Sequence, residues 1–285
     1  MSAWAIEDEP MADSETLAGR VERFFAPFEL AFRRRDQARW AKVYLQGLVE
    51  VPGRKTVENL ARAAALPDGF RREDAAQALG HFVNQSPWEE DALWGRYHAW
   101  LAGRVGKGGV FILEEFPIEK QGRHSVGVQR QLSRALGRKT NCQLGVTLYH
   151  AGPAGCYPLA IRLYLPRGWL EEVRLSAAGV PEAARQGKTK LEIGLEWIAA
   201  ARQAGLAATE LVAGVGWPPG EELSEAAREN GLTYSDTLPS SVAACREAML
   251  ERLGLGHFEG RSWRGFHHHA CLVTLAAAFL AESEG

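Results

Sequence analysis

The feature that most constrains this chain is a change of hydrophobic period at Gly106-Lys107-Gly108-Gly109. Before it, residues 17 to about 105 carry apolar side chains at helical spacing. Phe24, Phe25, Phe28, Leu30 and Phe32 crowd one segment, and Trp40, Val43, Tyr44 and Leu48 form a stripe. Val51-Pro52-Gly53 breaks this run and Thr56 opens another. Ser86-Pro87 reads as a helix start, with Ser86 as cap and Pro87 in the first helical position. After the glycines come short apolar runs at 110–113, 126–132, 142–149 and 159–165, separated by turn residues, which read as strands. The order then alternates. Thr189 and Glu192 make a capping box for a helix to about 204, closed by Gly205. A strand at 211–215, a helix at 221–229 and a strand at 232–235 follow, and helices at about 240–253 and 266–282 finish the chain. Antiparallel strands followed by alternating helix and strand predict an α/β class, with one mixed sheet carrying helices on its faces.

Composition narrows the chemistry. The 285 residues suffice for one large domain or two ordinary ones, and 46% hydrophobic with 24% charged residues is a globular balance. A net charge of −2 gives no bulk attraction to nucleic acid, so any such binding must rest on local patches. One patch lies at 120–139, where Lys120, Arg123, Arg130, Arg134, Arg138 and Lys139 occur without an acid. It reads either as a phosphate-tracking surface or as a solvated basic face. Arg33-Arg34-Arg35 with Arg39 and Lys42 is a second cluster, fanned around a helix. His267-His268-His269 invites a metal reading, but consecutive helical residues point about 100° apart and cannot all face one ion. The four cysteines show no CxxC spacing and read as free thiols. Residues 1–15 are acidic, read as a disordered tail, and lack the pattern of a signal peptide. The most apolar stretch, 270–281, is shorter than the roughly 20 residues a bilayer needs. A cytoplasmic protein without membrane attachment is expected.

Specific blocks add an ancestry. Arg123-His124-Ser125-Val126-Gly127-Val128-Gln129-Arg130-Gln131 is followed by Asn141-Cys142-Gln143-Leu144-Gly145-Val146. Upstream stand Trp40 with Tyr44-Leu45-Gln46-Gly47-Leu48, Arg54-Lys55-Thr56-Val57-Glu58, and His81-Phe82-Val83-Asn84-Gln85-Ser86-Pro87-Trp88. Downstream come Leu163-Tyr164-Leu165-Pro166 with Trp169, Ala178-Gly179-Val180-Pro181, Lys188-Thr189-Lys190 and Gly254 to Trp263. Over about residues 20–280 these blocks resemble the insertion-sequence DDE transposases, in the group founded on element number seven-oh-one. After the acidic tail at 1–15, the resemblance implies a helical N-terminal domain at 16–106 and a ribonuclease H-like domain at 107–285. It also implies DNA strand cleavage and transfer by two divalent cations, Mg2+ or Mn2+, held by three carboxylates. Such a site needs oxygens from separate elements to clamp an in-line phosphoryl displacement.

The carboxylate positions are where this chain departs from the pattern. The first falls on Glu114, with Glu115 beside it and Lys120-Gln121-Gly122 after. The family residue is Asp, and the extra methylene of Glu moves the carboxylate outward by about 1 Å or more. The second falls on Gly214 and the third on Ala243, neither of which can ligate through a side chain. Glu259 is a nearby acid at a position that is not catalytic in the family. The family's usual insertion is missing near 236–240, where only Thr237-Leu238-Pro239 intervenes. The sequence therefore predicts a transposase-family protein with at most Glu114 left as a metal ligand and inactive in strand cleavage. DNA is the expected partner, through Lys120, Arg123, Arg130, Arg134, Arg138 and Lys139, and self-association stays open. The alternatives are a domesticated DNA-binding regulator and an eroded remnant.

Overall fold

Thr16 opens the first helix, its hydroxyl accepting from Gly19 N at 3.2 Å, in a computed structural model that describes residues 15–66, 70–217 and 220–284. The expected acidic tail lies, Glu15 apart, outside the described residues. Helices α1 (Leu17–Phe25), α2 (Arg35–Glu50), α3 (Val57–Ala63), α4 (Arg72–Asn84) and α5 (Glu90–Ala102) follow in turn. The crowded phenylalanines are core: Phe24 and Phe28 meet the Trp100 ring at 5.4 and 5.6 Å. Leu30 from the same segment is instead exposed.

One helix boundary corrects the sequence reading. Ser86 does not cap α5, which begins at Glu90. Ser86 is buried and its Oγ accepts from Gln37 Nε2 at 3.0 Å. The extended residues 86–89 carry Trp88 inward, where it stacks between Phe82 at 5.7 Å and His268 at 3.6 Å. Burying that ring outweighs the local preference for an early helix start.

Four antiparallel strands come next: β1 (Val110–Glu119), β2 (Gln129–Ser133), β3 (Arg138–Gly152) and β4 (Gly155–Tyr164). β1 runs six residues past its apolar start because Glu114 to Glu119 pair with Thr147 to Cys142 of β3. Pro117 is tolerated there because the other neighbour of β1 pairs only with Val110 to Leu113. Residues 126–128, expected as strand, form a turn before β2, with Val128 N bonded to Ser125 O and Val126 N to Arg261 O.

A short helix that the sequence reading did not include, α6 (Glu172–Ala177), comes next, and the rest alternates as expected: α7 (Lys190–Gln203), β5 (Glu210–Ala213), α8 (Glu221–Glu229), β6 (Thr233–Ser235), α9 (Ser240–Glu247) and α10 (Trp263–Glu284). β3 lies antiparallel to β1 along one edge and shares its other edge between β2 and β4, while β5 and β6 extend the sheet from β1 in parallel. α10 is apolar almost all round, packing on β4 and against α2, α4 and α5. One buried cluster thus runs from Val21 to Leu280 and joins the early helices to the sheet. Among the described residues no helix is long and apolar enough to cross a membrane.

Candidate active site

Glu114 and Glu115 are adjacent on β1, so their side chains leave opposite faces of the sheet. Both are buried, at 1% and 2% exposure. They cannot join in one metal site. Each instead has its own cation. Arg246 of α9 donates Nη1 to Glu114 Oε1 at 2.6 Å, and Val215 N donates to the same oxygen at 3.2 Å. Lys190, the first residue of α7, bonds Glu115 Oε2, while Glu115 Oε1 accepts from Ser133 Oγ and Arg134 N, both at 2.9 Å.

Gly214 lies against Glu114, and Ala243 is on the helix whose Arg246 reaches that acid. Gly214 follows β5 and stays against β1, its N–H bonded to Leu113 O at 2.8 Å. A Cβ at Gly214 would sit 2.3 Å from Glu114 Cγ and 2.7 Å from Glu114 Oε1. The longer acid at 114 therefore occupies the space that a side chain at 214 needs. Ala243 is an exposed methyl on α9, one turn before Arg246, the residue that reaches Glu114. Glu114 Oε2 is buried without a hydrogen-bond partner, as is Thr147 Oγ1 directly across the β1–β3 pair.

Magnesium or manganese does not fit this arrangement. One free oxygen remains where a two-cation clamp needs several, and a guanidinium already sits on the other. Among the described residues no group of three or more His, Cys, Asp or Glu side chains could hold a metal ion.

The six basic candidates divide by sheet register. Arg130 of β2 and Lys139 of β3 are exposed on the face that carries Glu114. Arg138 points from the Glu115 face and pairs with Glu119 at 2.8 Å. Lys120 is half-buried, donates Nζ to Phe258 O at 2.7 Å, and is held below the usual lysine range by desolvation. Arg134 is exposed at the tip of the β2–β3 hairpin, whose backbone Glu115 pins, and Arg123 is exposed in the loop after β1. In the second basic cluster, Arg34 pairs with Asp36 and Lys42 with Glu22 and Glu29. Glu259 is taken by Arg54 at 2.7 Å.

The three histidines are buried and used one by one. His267 Nδ1 meets Trp263 O, His268 meets the carbonyls of Val83 and Trp88, and His269 meets Tyr44 Oη and Gly254 O, all within 3.2 Å. Desolvation lowers their pKa values to about 3, 3 and 4.

A family model described as DDE superfamily endonuclease matches residues 27–279. The chain belongs to that family. A probable transposase for insertion sequence element IS701 from Microchaete diplosiphon is 30% identical over 119 residues, which is 41% of this chain and 30% of that protein's length. Within this DDE superfamily member, sequence reasoning missed Arg246 and Lys190 as the partners of the two buried acids. Arg246 had a signal, since it follows the expected Ala243 position by one helical turn. Lys190 had a weaker one, because nothing local ties the first residue of α7 to β1.

Proposed function

We propose that this protein is a transposase relative that has lost metal-dependent strand cleavage and retains DNA binding through the basic residues around β2 and β3. The single observation that carries the first half is Arg246 on Glu114 Oε1, beside a Gly214 that has no room for a side chain. A guanidinium there neutralises the acid permanently, as a bound cation would, but brings no exchangeable water or substrate oxygen. The sheet, four antiparallel strands with two more extending it in parallel from β1, supports reading residues 107–285 as ribonuclease H-like and 16–106 as a helical N-terminal domain. Retained DNA binding is supported by Arg130 and Lys139 sharing the Glu114 face, with Arg134 at the hairpin tip and no carboxylate bound to any of them among the described residues. An erosion reading is less well supported. The exposed large apolar side chains among the described residues are Leu30, Phe70, Leu132, Leu136 and Val173, none of them at 236–240 where the insertion is missing.

Purified protein with Mg2+ or Mn2+ and supercoiled plasmid is expected to nick no faster than a Glu114→Ala control. Metal-dependent nicking that disappears in that control sinks the inactive reading. Salt-sensitive duplex binding that survives Arg130→Ala/Arg134→Ala unchanged sinks the proposed DNA face.

A further inference from the structure

A cleft of about 380 Å3 lies beyond the C-terminal end of β1, lined by Arg123, His124, Trp169, Arg174, Arg261 and Ser262 among others, and by no acid. From Glu114 to Arg123 the chain runs five residues to the end of β1 and then into the loop, on the order of 15–20 Å along the strand. The cleft is therefore separate from the buried acids.

Its walls come from three distant segments stitched together by main-chain groups. Val126 N bonds Arg261 O at 3.0 Å, and Trp263 N bonds Ala178 O at 2.9 Å. Trp169 Nε1 donates to Val128 O at 2.7 Å. Arg174 is held in place beforehand: Nη1 donates to Gly168 O at 2.6 Å and its guanidinium lies 5.5 Å from the Trp169 ring. The nearest acids do not neutralise it well. Glu171 approaches only to 4.0 Å and is largely exposed, and Glu172 is bound to Arg185. Arg123 and Arg261 have no carboxylate partner among the described residues.

Three guanidinium groups converging on one cleft repel each other unless an anion sits between them. Their planar forks match tetrahedral oxyanions through paired N–H donors, and His124 and Ser262 add further donors. The volume is at the lower end of small-molecule sites, suited to a nucleotide unit more than to a bare ion. We infer that this cleft is a phosphate-binding site that takes the phosphate of a nucleotide, either free or within a DNA strand. The inference deepens the DNA-binding reading by naming a seat for one phosphate at the end of the basic strip formed by Arg130, Arg134 and Lys139.

Calorimetric titration of the full chain with a deoxynucleoside 5′-monophosphate, the matching deoxynucleoside and inorganic phosphate tests it. The monophosphate is expected to bind and the nucleoside not, with inorganic phosphate competing. Arg123→Gln/Arg261→Gln changes two exposed side chains, so the unliganded unfolding midpoint should hold while monophosphate affinity falls at least tenfold. Arg134→Gln/Lys139→Gln should leave monophosphate affinity unchanged. Competition by a single-stranded oligonucleotide, also lost in the Arg123/Arg261 variant, assigns the phosphate to DNA, whereas competition by inorganic phosphate and the monophosphate alone assigns it to a free ligand. Either result supports the cleft. No binding of any phosphate probe, or equal binding by the Arg123/Arg261 variant, overturns it. Duplex binding lost only in the Arg130/Arg134 variant would leave the broader reading standing when the cleft fails, and the converse pattern separates them the other way.

Discussion

The interior around Glu114 and the rim around Arg123 to Lys139 treat charge in opposite ways. Inside, the buried Glu114 and Glu115 each have a cationic partner, and burial lowers the pKa values of three histidines on α10. On the rim, cations outnumber acids, and Arg123, Arg130, Arg134 and Lys139 face solvent. The fold thus neutralises its acids where the family resemblance implies catalysis, and leaves cations exposed where it implies contact with DNA.

The interior's largest vulnerability is acid. His267, His268 and His269 are held near 3, 3 and 4 by desolvation, against an ordinary value of 6.5. As pH falls below 6.5 the unfolded chain takes up protons that the folded chain refuses, so the stability these groups confer is complete above 6.5 and drains away towards pH 4 and 3. Each can contribute about 1.4 kcal/mol per pH unit in that window, and His267 and His269, whose contacts fit a neutral ring, together remove about 3 kcal/mol per unit, a large share of a typical domain's stability. Urea midpoints should collapse between pH 6.5 and 5, and His267→Gln should flatten the slope by about one proton. A flat profile from pH 7 to 5 breaks the contrast between sealed interior and open rim.

Next in size is the internal cation. Arg246→Met leaves Glu114 buried and unpaired, which should cost about 3 kcal/mol, the lower end for such a break because Arg246 is 25% exposed. Adding Glu114→Gln should recover most of that loss in denaturant unfolding. If Arg246→Met alone is neutral, the pair does not hold α9 to the sheet.

Lys190→Met should cost less than Arg246→Met. Glu115 keeps Ser133 Oγ and Arg134 N as donors, so the expected loss is smaller, about 1–2 kcal/mol. A loss larger than that of Arg246→Met would show that the backbone donors contribute little.

Much of this arrangement was legible in the chain. The period change at Gly106 to Gly109 separated helices from strands, and the Thr189 capping box placed the start of α7 to the residue, with Thr189 Oγ1 accepting from Glu192 N at 3.1 Å. Local signals of this kind act through neighbouring residues and survive folding. Strand extents were harder: nothing local shows that Glu114 and Glu115 continue β1, because their burial depends on cations contributed from positions 246 and 190. Ser86 failed as a cap for the same reason, since Gln37 lies 49 residues away. The resemblance singled out Glu114, Gly214 and Ala243, whereas the cations that sit on Glu114 and Glu115 come from other positions, 246 and 190.

The finest test lies on the rim, between two arginines four residues apart. Arg134 is exposed without a carboxylate, whereas Arg138 already holds both oxygens of Glu119, at 2.8 and 2.9 Å. If the strip tracks phosphates, Arg134→Ala should weaken duplex binding and reduce the salt slope by about 1, as one lost phosphate contact does. Arg138→Ala should change the slope by less, because that guanidinium must first leave Glu119, and the exposed pair itself is worth less than about 1 kcal/mol of stability. Equal salt slopes for the two variants would mean that Glu119 does not restrain Arg138, and that the rim is one uniform basic surface in which sheet face makes no difference.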